Sequence, residues 1–318
     1  GHGATPDLCE TCAPIVPQGA GTRMRRIAVV TSTQWSRGHP DDVSLFVAMP
    51  RFGLQPEPRV WSDPNVPWER HDAILVRTPW DYFRRWPEFS AWLDRVGSLD
   101  VPVINPVPLL RWNADKRYLL ALEAAGVAVV PTRFVEAGQI MPALEACGWR
   151  DLVVKPTVSG GAWDTLRLKP AEFSARAAEL ALLARKHTLM LQPYLPEVET
   201  DGEWSLVYFG SEFSHAVRKR PKAGDFRVQE KHGGGHERAE PGVELVAQGR
   251  AVLAALPGLG FDTCLYARVD GVVSGGRLLL MELEVLEPQL FLAGAPHAGA
   301  SFARLLSTYL VQRAAGTG

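Results

Sequence analysis

The sequence predicts an α/β protein that opens with a mostly parallel sheet, and three observations carry that expectation. From Met24 onward, short apolar runs of strand length alternate with amphipathic helical segments, the pattern of βαβ units. A chain of 318 residues with 46% hydrophobic residues can bury a large core. At about 100 to 200 residues per domain it should divide into two or three domains. Near the C-terminus, the apolar strand Leu278-Leu279-Leu280-Met281-Glu282-Leu283-Glu284-Val285 carries two acids, a pattern too apolar for an ordinary exposed edge.

In chain order, Ile27 to Thr31 reads as a buried strand, Asp41 to Met49 as a helix ended by Pro50, and Pro58 to Trp61 as a strand. Ala73 to Arg77 is a further strand leading into Thr78-Pro79-Trp80-Asp81-Tyr82, followed by a helix over Pro87 to Val96 and a strand over Val101 to Ile104. Ligands of parallel sheets sit beyond the carboxyl ends of the strands, which singles out the loops 32–39 and 77–82. Trp80, Asp81 and Tyr82 there suit either a helix cap with aromatic packing or a substrate contact. Arg77 is suited to hold a carboxylate in two parallel hydrogen bonds. With Trp80 and Asp81 it is expected to bind a small amino-acid-like substrate.

A second region begins at Asn105-Pro106. Asn113 or Asp115 can cap a helix with the stripe Tyr118, Leu119 and Leu122, ended by Gly126 before a strand over Val129 to Val135. Lys116 falls in the first turn of that helix, where a cation opposes the helix dipole, which favours a functional role. Lys155 ends the strand Leu152-Val153-Val154 and precedes Pro156-Thr157-Val158-Ser159-Gly160-Gly161-Ala162. The small residues of that loop let backbone N–H groups approach phosphate closely. Farther on, Arg218-Lys219-Arg220-Pro221-Lys222 and Asp225-Phe226-Arg227 form a basic segment that could gather near phosphates or remain a solvated hairpin. His232 and His236 have the spacing of a helical zinc pair, but the three glycines between them argue for a mobile loop.

Strand side chains alternate faces, so Glu282 and Glu284 point the same way, with Asp270 on an apparently adjacent strand. A hard divalent cation such as Mg2+ takes such an oxygen-rich set, usually with substrate phosphates completing its shell; the alternative is a solvated acidic face. The P-loop, the GxGxxG turn and the GxSxG elbow are absent from the sequence.

Composition narrows the partners. With 34 Lys+Arg against 35 Asp+Glu the net charge is -1, so no basic field holds nucleic acid or an anionic membrane. No apolar run reaches the roughly 18 residues that span a bilayer, and a cytoplasmic location is expected. Four cysteines in a chain of this length do not suggest a disulfide framework. Cys9 and Cys12 lie in residues 1–23, which read as a disordered leader or an expression remnant.

In this order, Lys116, Lys155 with its small-residue loop, Gln192-Pro193-Tyr194-Leu195, the Arg-rich segment, Asp270 and Glu282-Leu283-Glu284 resemble the ATP-grasp superfamily in its glutathione synthetase-like branch. The resemblance covers about 27–310. Within the branch, Trp61-Ser62-Asp63-Pro64, Val76 to Tyr82, Arg111 to Lys116 and Pro131 to Val135 look most like the D-cycloserine-forming cyclo-ligases and their relatives. The resemblance implies a pre-ATP-grasp domain over 24–112, a small lobe and hinge over 113–195, and a C-terminal lobe over 196–318, the two α+β lobes clamping ATP.

It also implies roles. Lys116, Lys155 and the loop Ser159, Gly160 and Gly161 would meet ATP phosphates, Gln192, Pro193, Tyr194 and Leu195 would form the hinge that meets adenine, and Glu203 would touch the nucleotide sugar. Asp270, Glu282 and Glu284 match Mg2+ ligands, although an Asn commonly stands where this chain has Glu284. Arg218, Arg220 and Arg227 match arginines facing the phosphoryl group and the substrate carboxylate. Glu287 could contact a substrate amino group. The implied reaction is ADP-forming C–N ligation through an acyl phosphate, either closing a ring within one molecule or joining a separate amine. Kinases and non-catalytic nucleotide binders share the fold, and a homodimer is compatible with it.

Overall fold

The computed structural model describes residues 23–136 and 138–316; the Cys9–Cys12 pair and all but the last residue of the expected leader lie outside the described residues. A first, parallel sheet has the order β2-β1-β3-β4, from β1 (Arg25–Thr31), β2 (Leu54–Val60), β3 (Ala73–Thr78) and β4 (Val103–Ile104). Helices α1 (Val43–Ala48) and α2 (Trp86–Gly97) lie on its crossovers. The helix expected over Asp41 to Met49 is shorter, because 3-10 turns at Pro40–Asp42 and Met49–Phe52 flank α1. Pro50 does not stop the chain turning, since it sits in the first turn of the second, where its missing N–H is not needed.

Val107–Ala114 forms a helix, α3, absent from the sequence-based expectation. Pro106 and Pro108 look like breakers, yet they occupy the cap and first turn, positions that proline tolerates. Asn113 is therefore inside α3 and caps nothing. The helix α4 (Tyr118–Ala124) follows, and Asp115 accepts a hydrogen bond from Arg117 N at 2.9 Å just before it.

The second sheet is antiparallel, in the order β5-β8-β6-β7, from β5 (Arg133–Val135), β6 (Leu152–Pro156), β7 (Leu166–Leu168) and β8 (Leu189–Pro193). Leu152, Val154, Leu189 and Leu191 pack against α5 (Ile140–Cys147) and α6 (Ala177–Lys186), leaving the opposite face of the strands free for ligand. β5 is shorter than expected, because Val129 makes an isolated bridge to Leu280 instead.

After the short α7 (Glu197–Thr200), a third, antiparallel sheet has the order β11-β10-β9-β12-β13. Its strands are β9 (Glu203–Phe209), β10 (Glu212–Arg220), β11 (Gly235–Ala239), β12 (Tyr266–Ser274) and β13 (Arg277–Glu284). Alternation along β9 sends Leu206 and Tyr208 toward α8 (Val243–Ala254) and Val207 and Phe209 toward α9 (Ala298–Gly316). The α9 side chains Phe302 and Leu306 share a core with Ile27, Val29 and Leu45, which fixes the first sheet against the third. The stretch expected as a mobile loop through His236 is in part β11, an edge strand whose ladder with β10 offsets the entropy cost of its glycine.

Candidate active site

A cavity of about 680 Å³ opens where the three sheets meet. The carboxyl ends of β1 and β3 bring Trp35, His39, Trp80 and Asp81 to one part of its wall. The second sheet and its loop bring Lys155, Ser159, Gly160, Gly161 and the segment Gln192, Pro193, Tyr194 and Leu195. Glu203, Lys219, Arg268, Asp270, Glu282, Glu284 and Glu287 line it from the third sheet and the turn after β13. Thus most of the expected site residues, Lys116 and Arg227 included, share one cavity.

The acidic strands have the expected register. Asp270 faces Glu282 across the β12–β13 ladder and Arg268 faces Glu284, with a bulge at Gly271, where a Cβ would lie 2.4 Å from Leu279 O. Asn113 locks this ladder from α3 by donating to Leu283 O at 2.6 Å and accepting from Val285 N at 3.0 Å. Each carboxylate leans on a cation. Lys155 Nζ is 2.7 Å from Glu282, Arg268 is 2.7 Å from Asp270 and 2.5 Å from Glu284, and Lys219 pairs with both Glu203 and Asp270. Burial opposes the charge of Glu282, but Lys116 and Lys155 overcome it and hold the carboxyl down at about 2. Burial also opposes the charge of Asp270, and Arg268 and Lys219 hold it below the ordinary carboxylate range. Glu284 shares Arg268 with Asp270, and there burial prevails and pushes the carboxyl up.

Lys116 is buried just ahead of α4, and its Nζ donates to Ser159 O at 2.8 Å, so it steadies the small-residue loop. That loop is tightly fitted. A Cβ on Gly160 would meet Phe83 Cε1 at 2.8 Å, and Gly161 has φ +56°, a conformation that favours glycine. Phe83 and Trp163 face each other at 5.4 Å between ring centroids, joining the first sheet's loop to the second. At the other end Trp80 donates from Nε1 to Glu287 O at 2.9 Å, and its ring lies 4.7 Å from that of His39 and 6.5 Å from that of Trp35. Asp81 accepts from Trp61 Nε1 at 2.7 Å, so it also braces its own loop.

Three expected site residues lie elsewhere. Arg77 is 1% exposed and is absent from the cavity wall, because it pairs with Asp42 at 2.9 Å and donates to Pro288 O at 3.1 Å. Arg218 and Arg220 are on the opposite face of β10 from Lys219. Arg218 stacks over Trp204 at 4.2 Å and Arg220 pairs with exposed Glu237, so neither lines the cavity. Lys219 and Arg268 take their place; the sequence reading includes Lys219 in the basic segment without singling it out, and gives Arg268 no role. The hairpin register that pairs Lys219 with Glu203, and the two-residue spacing of Arg268 from Asp270, were the available signals.

Among the described residues no three acidic, imidazole or thiol groups converge on one point; Glu282 is drawn to Lys155, and Asp270 and Glu284 to Arg268. Oxygen-only donors on adjacent strands nevertheless suit a hard divalent ion, and the surrounding lysines and arginines suit polyphosphate. No helix among the described residues is long and apolar enough to cross a membrane.

Comparison with known proteins agrees with this architecture. Residues 27–105 match the family described as D-cycloserine synthetase DcsG, N-terminal domain. The cycloserine biosynthesis protein DcsG of Streptomyces lavendulae is 33% identical over 280 residues, 84% of this chain and 92% of that protein. A crystal structure of D-cycloserine synthetase DcsG superposes with a TM-score of 0.80 at 30% identity, covering 90% of this chain and 99% of the other. D-alanine–D-alanine ligase from Bacillus anthracis shares the fold, with a TM-score of 0.65 at 17% identity over 92% of this chain and 100% of its own. The first sheet followed by two α+β lobes is the ATP-grasp fold, whose enzymes use ATP and Mg2+. The chain belongs to the D-cycloserine synthetase family of ATP-grasp ligases, which join a carboxylate to a nitrogen through an acyl phosphate.

Proposed function

We propose that this chain activates the carboxylate of O-ureido-D-serine, or a close analogue, and closes a ring within one molecule: the ureido nitrogen next to oxygen displaces phosphate from the acyl phosphate, and water then removes the carbamoyl group as CO2 and ammonia to leave D-cycloserine. The observation that carries the reading is that one cavity brings together lysines and arginines, paired acids and an aromatic wall. A carboxylate resists attack by nitrogen at neutral pH, so it is first phosphorylated at the expense of ATP. Lys116, Lys155 and the loop of Ser159, Gly160 and Gly161 would hold the phosphates, while Gln192 to Leu195 would line the adenine end and Glu203 the sugar. Asp270, Glu282 and Glu284 would hold Mg2+, which supplies neutralisation of phosphate charge when bound.

Lys219 and Arg268 lie beside those acids and would offset the charge that develops as the phosphoryl group moves. Arg227 reaches the same cavity from the 225–227 turn, where it is held to Asp225 at 2.8 Å. The fitted contact of Phe83 with Gly160 and Trp163 would exclude water that otherwise hydrolyses the acyl phosphate. The test is ADP release with O-ureido-D-serine and Mg·ATP, with products identified by mass. D-cycloserine with free phosphate, CO2 and ammonia is expected. A requirement for a separate amine would make the protein an intermolecular ligase, and a stable phosphorylated product would make it a kinase.

A further inference from the structure

Side-chain alternation along β13 is broken once. Leu278 and Leu280 share a core with Leu283 and Val285, which an unbroken strand would turn to the opposite face. The break lies at the bulge: Asp270 faces Glu282 and Gly271 faces Leu280, so Met281 is the extra residue. Met281 and Glu282 therefore both line the cavity, and Glu284 follows on the same side. A strand without that extra residue would carry Glu282 and Glu284 on the side of Leu278 and Leu280. The bulge also changes which backbone groups point away from β12, and β13 is the last strand of its sheet. Ahead of the bulge, Leu280 N donates to Ala128 O at 2.8 Å and Leu280 O accepts from Val130 N at 3.0 Å. Beyond it the outward groups are those of Leu283 and Val285, and side chains meet them in place of a strand. Asn113 serves Leu283 O and Val285 N, and Leu283 N donates to the Tyr118 hydroxyl at 2.9 Å. Leu283 is 1% exposed and Tyr118 4% exposed, so this N–H has little access to water, and Trp112 holds the Tyr118 ring at 5.2 Å between centroids.

We propose that Tyr118 is a positioning residue for the acids expected to hold Mg2+: its hydroxyl stands in for a neighbouring strand at the open edge of β13 and fixes the phase in which Glu282 and Glu284 face the cavity. This inference rests on the reading of those acids as metal ligands. An N–H left without an acceptor in a buried strand is costly, and without the hydroxyl the cost is relieved only by a shift of β13. A shift of one residue exchanges the faces of the acids and the leucines. The sequence places Tyr118 in the apolar stripe of its helix, and the partner that gives it this second role lies 165 residues away.

The experiment uses Tyr118→Phe, which keeps the ring and removes only the hydroxyl. Calorimetry measures the affinity of parent and variant for AMP-PNP, a non-hydrolysable ATP analogue, with Mg2+ and with EDTA, so no turnover is needed. The gain in affinity that Mg2+ confers should fall about 10-fold in Tyr118→Phe, the size expected when a group that orients metal ligands is lost, while metal-free affinity stays near that of the parent. An undiminished Mg2+ gain overturns the inference, and so does a metal-free affinity that falls as far as the Mg2+-dependent one, since that marks general damage to the cavity. Hydrogen exchange on the parent chain gives a test that does not depend on the variant folding: the Leu283 amide should exchange as slowly as the amides of the β12–β13 ladder, and fast exchange there overturns the inference. A parent chain that gains nothing from Mg2+ sinks the reading of Asp270, Glu282 and Glu284 as metal ligands, and this inference with it.

Discussion

Lys155 Nζ lies 2.7 Å from Glu282 Oε1, so β6 and β13 hold each other across the cavity by opposite charges. The same exchange is set up at Lys219 and Arg268, which hold Asp270 between them. Groups suited to phosphate are thereby engaged with groups suited to metal. A metal ion arriving alone has to displace a tethered ammonium, and a nucleotide arriving alone leaves carboxylates unpaired. Arriving together, they exchange one set of pairs for another, which makes their binding mutually reinforcing.

Replacing Lys155 separates the two effects. Lys155→Met should weaken ATP binding by about 10- to 100-fold, the loss of one charge-assisted contact worth roughly 1.5 to 3 kcal/mol. It should also strengthen Mn2+ binding in the absence of nucleotide, because Glu282 is no longer occupied. Mn2+ titration followed by electron paramagnetic resonance reads the second effect without any turnover. Unchanged Mn2+ affinity would show that the ion pair does not oppose the metal.

Arg77 should respond as a structural residue. It is buried with Asp42, whose carboxyl is pushed up by burial and drawn back down by Arg77. Removing the partner of a buried charge costs about 3 to 5 kcal/mol, so Arg77→Ala should lose much of the chain's stability. Arg77→Lys keeps the charge but loses the fork that serves Asp42 and Pro288 O together, and should destabilise less. Urea unfolding alongside substrate kinetics checks this. A raised substrate KM in Arg77→Lys with parental stability would return Arg77 to the substrate site.

The contrast between Arg77 and Glu282 shows what the sequence made legible. Glu282 and Glu284 stood out because a local pattern, acids at alternate positions of an apolar strand, fixes their common face without knowledge of the neighbours. The strand ends and small-residue loop around Lys155 were local in the same sense. Arg77 shares its strand end with true cavity residues, but its partners lie 35 and 211 residues away, and no local pattern reports them. On β10, Arg218, Lys219 and Arg220 looked like one basic cluster, and only the strand's period of two, once the strand is known, separates Lys219 from the other two. Helix α3 is hard to read locally because its start carries Pro106 and Pro108, although a helix tolerates proline at its cap and in its first turn.

Acid sensitivity should trace in part to His215. This residue is 5% exposed on β10, with Nε2 2.7 Å from Leu290 O and Nδ1 2.9 Å from Ser214 Oγ, an arrangement that suits the neutral ring. Burial lowers its pKa below the ordinary value, and the hydrogen bond to Leu290 only partly opposes the shift. The unfolded chain therefore takes up the proton more readily than the folded one. The stability contributed by the neutral ring is fully present above the unfolded pKa of about 6.5 and is lost as pH falls below it. His215→Gln keeps a donor for Leu290 O but cannot titrate. Other ionisable groups act in both proteins, so the difference in unfolding free energy between parent and variant isolates the imidazole. Urea unfolding at pH 7.5 and pH 5.5 should show that the parent's advantage over His215→Gln shrinks at the lower pH. An advantage that grows on acidification would mean that the folded protein stabilises the imidazolium, and that burial does not govern this site.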